Sequence, residues 1–441
     1  MKIKVLFYSI LLIGPCVKAQ FKNITLAEQK AGERPMVEPS ITINLKDPNN
    51  IIAAYSLDRI KFTKDGGVTW EEVTVKSPYG VYGDVVLESD NKGAIYFFHL
   101  SDPSGEGRAN DAWLDRIVAH RSDDGGKSWN EGSSIGLNPP KDQDKPWAAV
   151  HPKKGNIVVT WTQFDKYGLD DPACQSNIMF STSTNGGKKW SDAIQISQNP
   201  GDCIDSDNTT EGAVPYFTLD GKLFVVWSNA GRLYLDRSYD DGKTWLRNDI
   251  PISEHVGGWD MEIPGLGRCN GMPVLRADNS TSKFHDALYV MWSDQGNGVD
   301  DTDIWFMRST NFGDNWSPAA RVNKEETKSH QFLPWMAVDQ TTGYIYIVYY
   351  DRRAYTDNQT DVYLAYSSDG GYNFDEVKIS ETPFVPTEDT FFGDYTNIAA
   401  HNGIITPIWA RMDNGKTSII TTIIKQEELI KKETPAPKKK K

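Results

Sequence analysis

Three short segments place acids, guanidiniums and a phenol where an ordinary strand end needs none. In Tyr349-Tyr350-Asp351-Arg352-Arg353 an apolar run ends in a carboxylate and two guanidiniums. Phe391-Phe392-Gly393-Asp394-Tyr395 sets an acid and a phenol behind a glycine corner, and Thr209-Thr210-Glu211-Gly212 does the same with one acid. Planar guanidinium forks recognise carboxylates, and a phenol whose proton a neighbouring carboxylate can take becomes a nucleophile. An internal Asp351-to-arginine ion pair that holds the loop accounts equally well for the first segment. Among the histidines, His330 stands beside Gln331 at a predicted strand start, and His330 with Tyr395 would suit proton abstraction of the kind a polysaccharide lyase needs.

The elements that must position these groups are read from a repeat. The frame Ser/Thr-x-Asp/Asn-x-Gly-x-x-Trp/Phe occurs at residues 63–70, 122–129, 183–190, 238–245, 309–316 and 367–374. A period of about 60 residues marks a repeated supersecondary unit. The hydroxyl and carboxylate can hold the turn's backbone N–H groups, the glycine takes positive φ, and the aromatic is expected to pass under the hairpin into the core. Short alternating runs such as 303–308 and 361–366 precede each frame, and more apolar runs such as 156–161, 223–227, 288–292 and 344–350 come before those. Each unit therefore reads as inner strand, second strand, third strand, turn, outer strand.

This frame resembles the Asp-box, or bacterial neuraminidase repeat, of the sialidase superfamily of β-propellers. The resemblance covers nearly all of the chain after residue 19 and implies an all-β propeller. Six sets of strands carry a frame, and a seventh begins at residue 394 and lacks an outer strand, which residues 21–27 can supply. Seven blades closed by the N-terminal strand are expected, with six, as in sialidases, as the alternative; closure leaves no free sheet edge. Sialidases clamp the substrate carboxylate with three arginines and use an aspartate as acid/base and a tyrosine made nucleophilic by a glutamate. The resemblance therefore implies Asp84, Glu211 and Tyr395 as catalytic groups, with Arg34, Arg268 and Arg352 or Arg353 binding substrate, because their order along the chain matches that of the superfamily.

Loop lengths choose the working face. Turns between inner and second strands are short, whereas the stretches 101–113, 162–176, 198–212, 253–271, 293–302, 324–331, 351–360 and 381–393 are long and fall on the opposite face. Long loops on one side of a rigid scaffold are where binding and chemistry sit. Residues at the inner-strand starts should ring that mouth: Glu38, Asp84, Asp144 with Lys145, Glu211, Asn270, His330 with Gln331, and Asp394 with Tyr395. Acids, arginines (Arg108 and Arg411 among them) and aromatics converging on a concave mouth describe a carbohydrate pocket. His330, Gln331, Asp351, Arg353 and Asp394 join the substrate-binding candidates.

Bulk properties narrow the partners. The formal net charge of the 441-residue chain is -13, which disfavours nucleic acid and leaves any anionic substrate to a local arginine cluster. Residues 1–19, with Lys2 and Lys4, an apolar run and Val17-Lys18-Ala19, read as an export signal, and no other apolar run is long enough to span a bilayer. Residues 20–425 read as one propeller domain and 426–441 as a disordered lysine-rich tail. Cys174, Cys203 and Cys269 allow one disulfide and one thiol, or none. No cofactor is required; the acidic loop with Asp294, Asp300, Asp301 and Asp303 can offer oxygen ligands to Ca2+ but lacks the spacing of a known calcium loop, and a solvated turn is the simpler reading. The expected function is that of an exported, sialidase-like glycoside hydrolase acting on complex glycans, an acidic sugar among the candidates. A silent glycan-binding propeller and a polysaccharide lyase are the alternatives, and the oligomeric state is left open.

Overall fold

A computed structural model describes residues 20–430. It contains seven antiparallel sheets arranged as the blades of a propeller, with almost no helix. The innermost strands of blades 1 to 7 are Ser40–Ile43, Val86–Ser89, Asp142–Val150, Glu211–Phe217, Val274–Ala277, Gln331–Val338 and Asn397–His401. Blades 1 to 6 each add three consecutive strands outward, ending at half-exposed strands such as Glu71–Thr74 and Asp375–Lys378.

Blade 7 borrows its outer strand. Ile24–Glu28 pairs antiparallel with Lys416–Thr421, with Ile24 opposite Thr421 and Glu28 opposite Ser418, so the two chain ends close the ring as expected. A two-residue strand, Ile424–Lys425, adds to the second strand of the same blade. Residues 426–430, expected as the start of a disordered tail, form the short helix Gln426–Ile430 instead. Its order has a physical cause: Leu429 is buried, and Gln426 accepts a hydrogen bond from the Tyr346 hydroxyl at 3.0 Å. The segment read as an export signal and residues 431–441 lie outside the described residues.

Second strands read as unbroken apolar runs because both of their faces press against neighbouring blades. Ile157–Phe164, Leu223–Asn229 and Leu288–Asp294 are buried throughout, and Trp161, Trp227, Trp292 and Trp409 on such strands are among the largest fully enclosed side chains. Burying an aromatic of this size stabilises by roughly 2–3 kcal/mol.

The repeated turn frames hold themselves together locally. Ser122 Oγ accepts from the Gly126 N–H at 2.9 Å, Asp124 Oδ1 accepts from the Ser128 N–H at 2.9 Å, and Trp129 Nε1 donates to the Gly126 carbonyl at 3.1 Å. The frames beginning at Thr63 and Ser238 repeat all three bonds. Phe374 of the last frame is buried in the core as expected, but the other five aromatics are not. The five tryptophans are half-buried in the seams between blades, for example Trp245 against Phe180 of the preceding blade at 5.0 Å and Trp190 against Phe98 at 6.1 Å. Gly242 sits at φ +83° with Phe180 where its Cβ would be, only 2.2 Å away, so the seam needs glycine for closeness as well as conformation. These turns mark the face opposite the long loops.

Candidate functional site

The inner strands reach the loop-rich mouth through one recurring backbone device. Glu38 (φ 53°), Asp84 (48°), Lys145 (48°), Gly212 (74°), Leu333 (46°) and Gly393 (95°) all adopt left-handed backbone at or just before an inner strand. In blades 3, 4 and 6 the pairing register shifts there, between Asp144 and Trp147, Glu211 and Val214, and Phe332 and Trp335. A bulge of this kind bends the strand and re-aims its side chains. In blades 1, 2 and 3 the strained position carries a charge; in blades 4 and 6 it carries glycine and leucine.

A cavity of about 530 Å³ opens beside those three charges. Glu38, Asp84, Asp144, Lys145, Arg268 and Asp394 supply its ionic wall, and Tyr82, Trp113, Tyr167 and Phe391 its aromatic one. Two further cations, Arg34 and Arg108, stand exposed at its edge. Neither forms an ion pair among the described residues. Arg34 lies over the Tyr82 ring at 5.8 Å, and Arg108 lies between Trp113 and Tyr167 at 5.4 and 4.9 Å. Their guanidinium edges are free to take an anionic group.

Beneath the rim the charges interlock. Asp394 accepts from Arg268 Nε at 2.7 Å, from Arg268 Nη2, and from Lys145 Nζ at 2.6 Å. Lys145 also reaches Asp84 at 3.7 Å, leaving Asp84 Oδ2 with no hydrogen-bond donor. Asp205 takes Arg268 Nη1 at 2.6 Å, the Tyr167 hydroxyl at 2.7 Å and Trp259 Nε1 at 2.9 Å. That loop is stapled by the disulfide Cys174–Cys203, while Cys269 is a buried thiol.

This arrangement separates the acids into two protonation states. Burial pushes Glu38 well above the usual carboxylate range, and the charges of Asp84 and Asp394 push it further. Burial likewise raises Asp144, against the pull of Lys145. Asp394 is as deeply enclosed, yet Arg268 and Lys145 overcome burial and hold it down at about 2. Lys145 stays charged because Asp394, Asp84 and Asp144 outweigh the burial that opposes its charge. A protonated carboxyl in a cleft beside ionised ones is an arrangement that acid–base chemistry uses.

The residues singled out from the sequence divide by place. Arg34, Asp84, Arg268 and Asp394 line the cavity. Tyr395 lies directly below it, buried, its ring 5.0 Å from that of Trp147 and 6.1 Å from that of Trp335, with no partner for its hydroxyl. Burial raises its phenol well above the ordinary range, Asp84 and Glu38 adding to the effect. Glu211 was expected to activate that phenol. It faces Asp205 instead, burial and then the Asp205 charge raise it well above the usual carboxylate range, and the acids acting on Tyr395 are Asp84, Glu38 and Asp394.

The remaining candidates lie away from the cavity wall. His330 Nδ1 pairs with the Thr302 hydroxyl at 3.0 Å, and burial with the Arg352 charge lowers it to about 4. Gln331 accepts from Asn323 at 2.8 Å. Arg352 donates to the Pro264 carbonyl at 2.6 Å and to Thr360 at 3.1 Å. Arg353 bridges Asp351 and Glu376, at 2.6 Å each, tying the second strand of blade 6 to its outer strand. In the acidic loop, Asp294 accepts from Trp292 and the Gly296 N–H, and Asp303 is tied to Asn323 and Arg321. Asp205 and Tyr167 were passed over in the sequence; their one signal was a place inside long loops flanked by Cys174 and Cys203.

No protein-family model matches the sequence, and none of the curated proteins matches it. The fold is shared with solved structures. One is a polysaccharide lyase of family PL25, an ulvan lyase bound to -[GlcA(1-4)Rha3S]-, at TM-score 0.53 and 11% identity over 91% of this chain and 96% of that one. Another is the GH93 α-L-arabinofuranosidase of Fusarium graminearum with arabinobiose, at TM-score 0.51 and 14% identity over 92% and 98%. A Hadza microbial sialidase aligns at TM-score 0.47 and 15% identity over 86% and 73%. At these identities the likeness is one of fold.

Proposed function

We propose that this protein is a glycan-acting enzyme, a glycoside hydrolase whose substrate presents an anionic sugar to the mouth formed by blades 1 to 3. The observation that carries this reading is the pairing, in one cavity, of a carboxyl held protonated, Glu38, with Asp84, whose Oδ2 has no donor. Glycosidic cleavage needs such a pair: one group protonates the departing oxygen, and the other takes the proton of the attacker or itself attacks. Glu38 acts as the acid. Asp84 receives the proton of the attacking hydroxyl, whether that of water or of the Tyr395 phenol beside it. Arg34 and Arg108 receive the anionic group at the rim, and the ionised Asp394 with its two cations fixes the floor. The neighbouring folds act on glycans by their names, and the cavity volume suits a sugar ring or two. A disulfide accords with export.

The test is a screen of the purified protein against sialosides, uronate-containing polysaccharides and plant or algal glycans, followed by product analysis. Release of free sugar without a new double bond is expected, with Glu38→Gln and Asp84→Asn each lowering kcat/KM by about 100-fold or more in folded protein. An unsaturated uronate product would replace hydrolysis with elimination, and retention of glycan without turnover would reduce the site to a binding one.

A further inference from the structure

On the face opposite the mouth, the inner strands of all seven blades enclose a second cavity of about 440 Å³ around the propeller axis. The packed rings of Trp147, Trp335 and Tyr395, with Trp147 and Trp335 centred 4.3 Å apart, lie between it and the acids above. Two charged side chains of the inner strands face it without an ion-pair partner among the described residues: Glu88 of blade 2 and Arg276 of blade 5. Asp90, near its edge, spends its oxygens on the Lys92 and Ala94 N–H groups and the Tyr96 hydroxyl.

Arg276 is the unusual member. One of its N–H groups is used, by Nη1 on the Leu275 carbonyl at 2.7 Å. Its guanidinium lies 5.2 Å from the Tyr216 ring centre and 5.9 Å from that of Trp335, and the Tyr216 hydroxyl, accepting from Gln340 Nε2 at 2.9 Å, keeps its own proton to donate. Burial opposes the arginine's charge. Burial pushes the Glu88 carboxyl up to about 7 against the pull of Arg276, so near neutrality Glu88 offsets Arg276 only in part. Arg276 is half-buried with donors left over toward the channel, where a ligand carboxylate can accept from its guanidinium.

We infer that this axial channel is a second binding site, for a small organic carboxylate gripped by Arg276 between the Tyr216 and Trp335 rings. Glu88, across the channel, offers a hydrogen-bond partner to hydroxyls on the ligand. The channel admits molecules up to the size of a monosaccharide acid. This site is independent of the chemistry proposed for the mouth.

The experiment is calorimetric titration of the full chain with acetate, D-glucuronate, D-glucose and chloride. Saturable binding of both carboxylates is expected, glucuronate tighter than acetate, with no binding of glucose. The titrations are run in Arg34→Ala, which removes one anion-binding arginine from the mouth; saturable carboxylate binding should persist there, and adding Arg276→Gln should weaken it at least tenfold. Ala399→Leu keeps every charge and narrows the channel, so it too should weaken binding and stands in if Arg276→Gln does not fold. Absence of saturable binding, equal competition by chloride, loss of binding in Arg34→Ala, or full binding in Ala399→Leu would each overturn the assignment.

Discussion

Replacing Asp394 by asparagine keeps the shape of the side chain and removes the charge on which the floor of the mouth is built. Its carboxylate is fully enclosed and neutralises Lys145, whose side chain is 4% exposed, together with Arg268, which is 33% exposed. Removing one partner of a buried ion pair costs about 3–5 kcal/mol, and the partial exposure of Arg268 argues for the lower end. With an unfolding entropy of about 2.1 cal/mol/K per residue over roughly 400 ordered residues, that is a fall in Tm of about 4–6 °C. The pH dependence supplies a second reading. Asp394 is held at about 2 in the folded state against 3.8 for a free side chain. Its contribution, roughly 2 kcal/mol, is therefore complete above about pH 4 and is lost as pH falls toward 2. Scanning calorimetry of both proteins should show the gap in Tm narrowing between pH 5 and pH 2.5. A gap that is absent at pH 7, or that stays constant as the solution is acidified, would refute the ion-pair account of the floor.

Three other outcomes are expected. Glu38→Gln should raise Tm, increasingly so as pH climbs above about 5, because a carboxyl whose folded pKa is raised costs stability once it must ionise; thermal melts at pH 5 and pH 8 read this beside the loss of turnover. Gly242→Ala should destabilise by about 2–4 kcal/mol, since a Cβ would lie 2.2 Å from Phe180 on left-handed backbone, and denaturant titration measures it. Replacing Cys174 and Cys203 by serine opens a loop with a sequence separation of 29 and should cost about 3–4 kcal/mol; reducing agent should lower the Tm of the parent protein by the same amount and leave the variant unmoved.

The scaffold was legible because its rules are local. A hydroxyl, a carboxylate, a glycine and an aromatic at fixed spacing can satisfy one turn with no help from elsewhere, and the bonds within residues 122–129 are of that kind. The same reading counted seven blades and found the missing strand at the N-terminus, since a sheet edge left open is a liability wherever it falls. Side-chain partners are not local. Asp351-Arg352-Arg353 looks identical in sequence whether its charges meet a substrate or Glu376 on the outer strand of the same blade, and only the fold decides for Glu376. Glu211 and Tyr395 share the signature of an inner-strand start, yet the charge acting most strongly on Glu211 is that of Asp205, a loop residue with no motif around it.

Position in the repeat also explains why the mouth is lopsided. Every blade needs its inner strand to turn as it reaches the axis, and glycine meets that need at least cost, as Gly212 does in blade 4. Holding Glu38, Asp84 and Lys145 in the same left-handed conformation costs about 1 kcal/mol or more apiece. Three strained charges on consecutive blades, with a cavity of about 530 Å³ opening beside them, accord with the proposal that these side chains serve the mouth. Leu333 in blade 6 shows that the corner alone makes no site: it has the same geometry, is buried, and brings no charge to the mouth. What distinguishes blades 1 to 3 is thus the occupant of a strained position common to most blades: an ionisable group there, and glycine or leucine in blades 4 and 6.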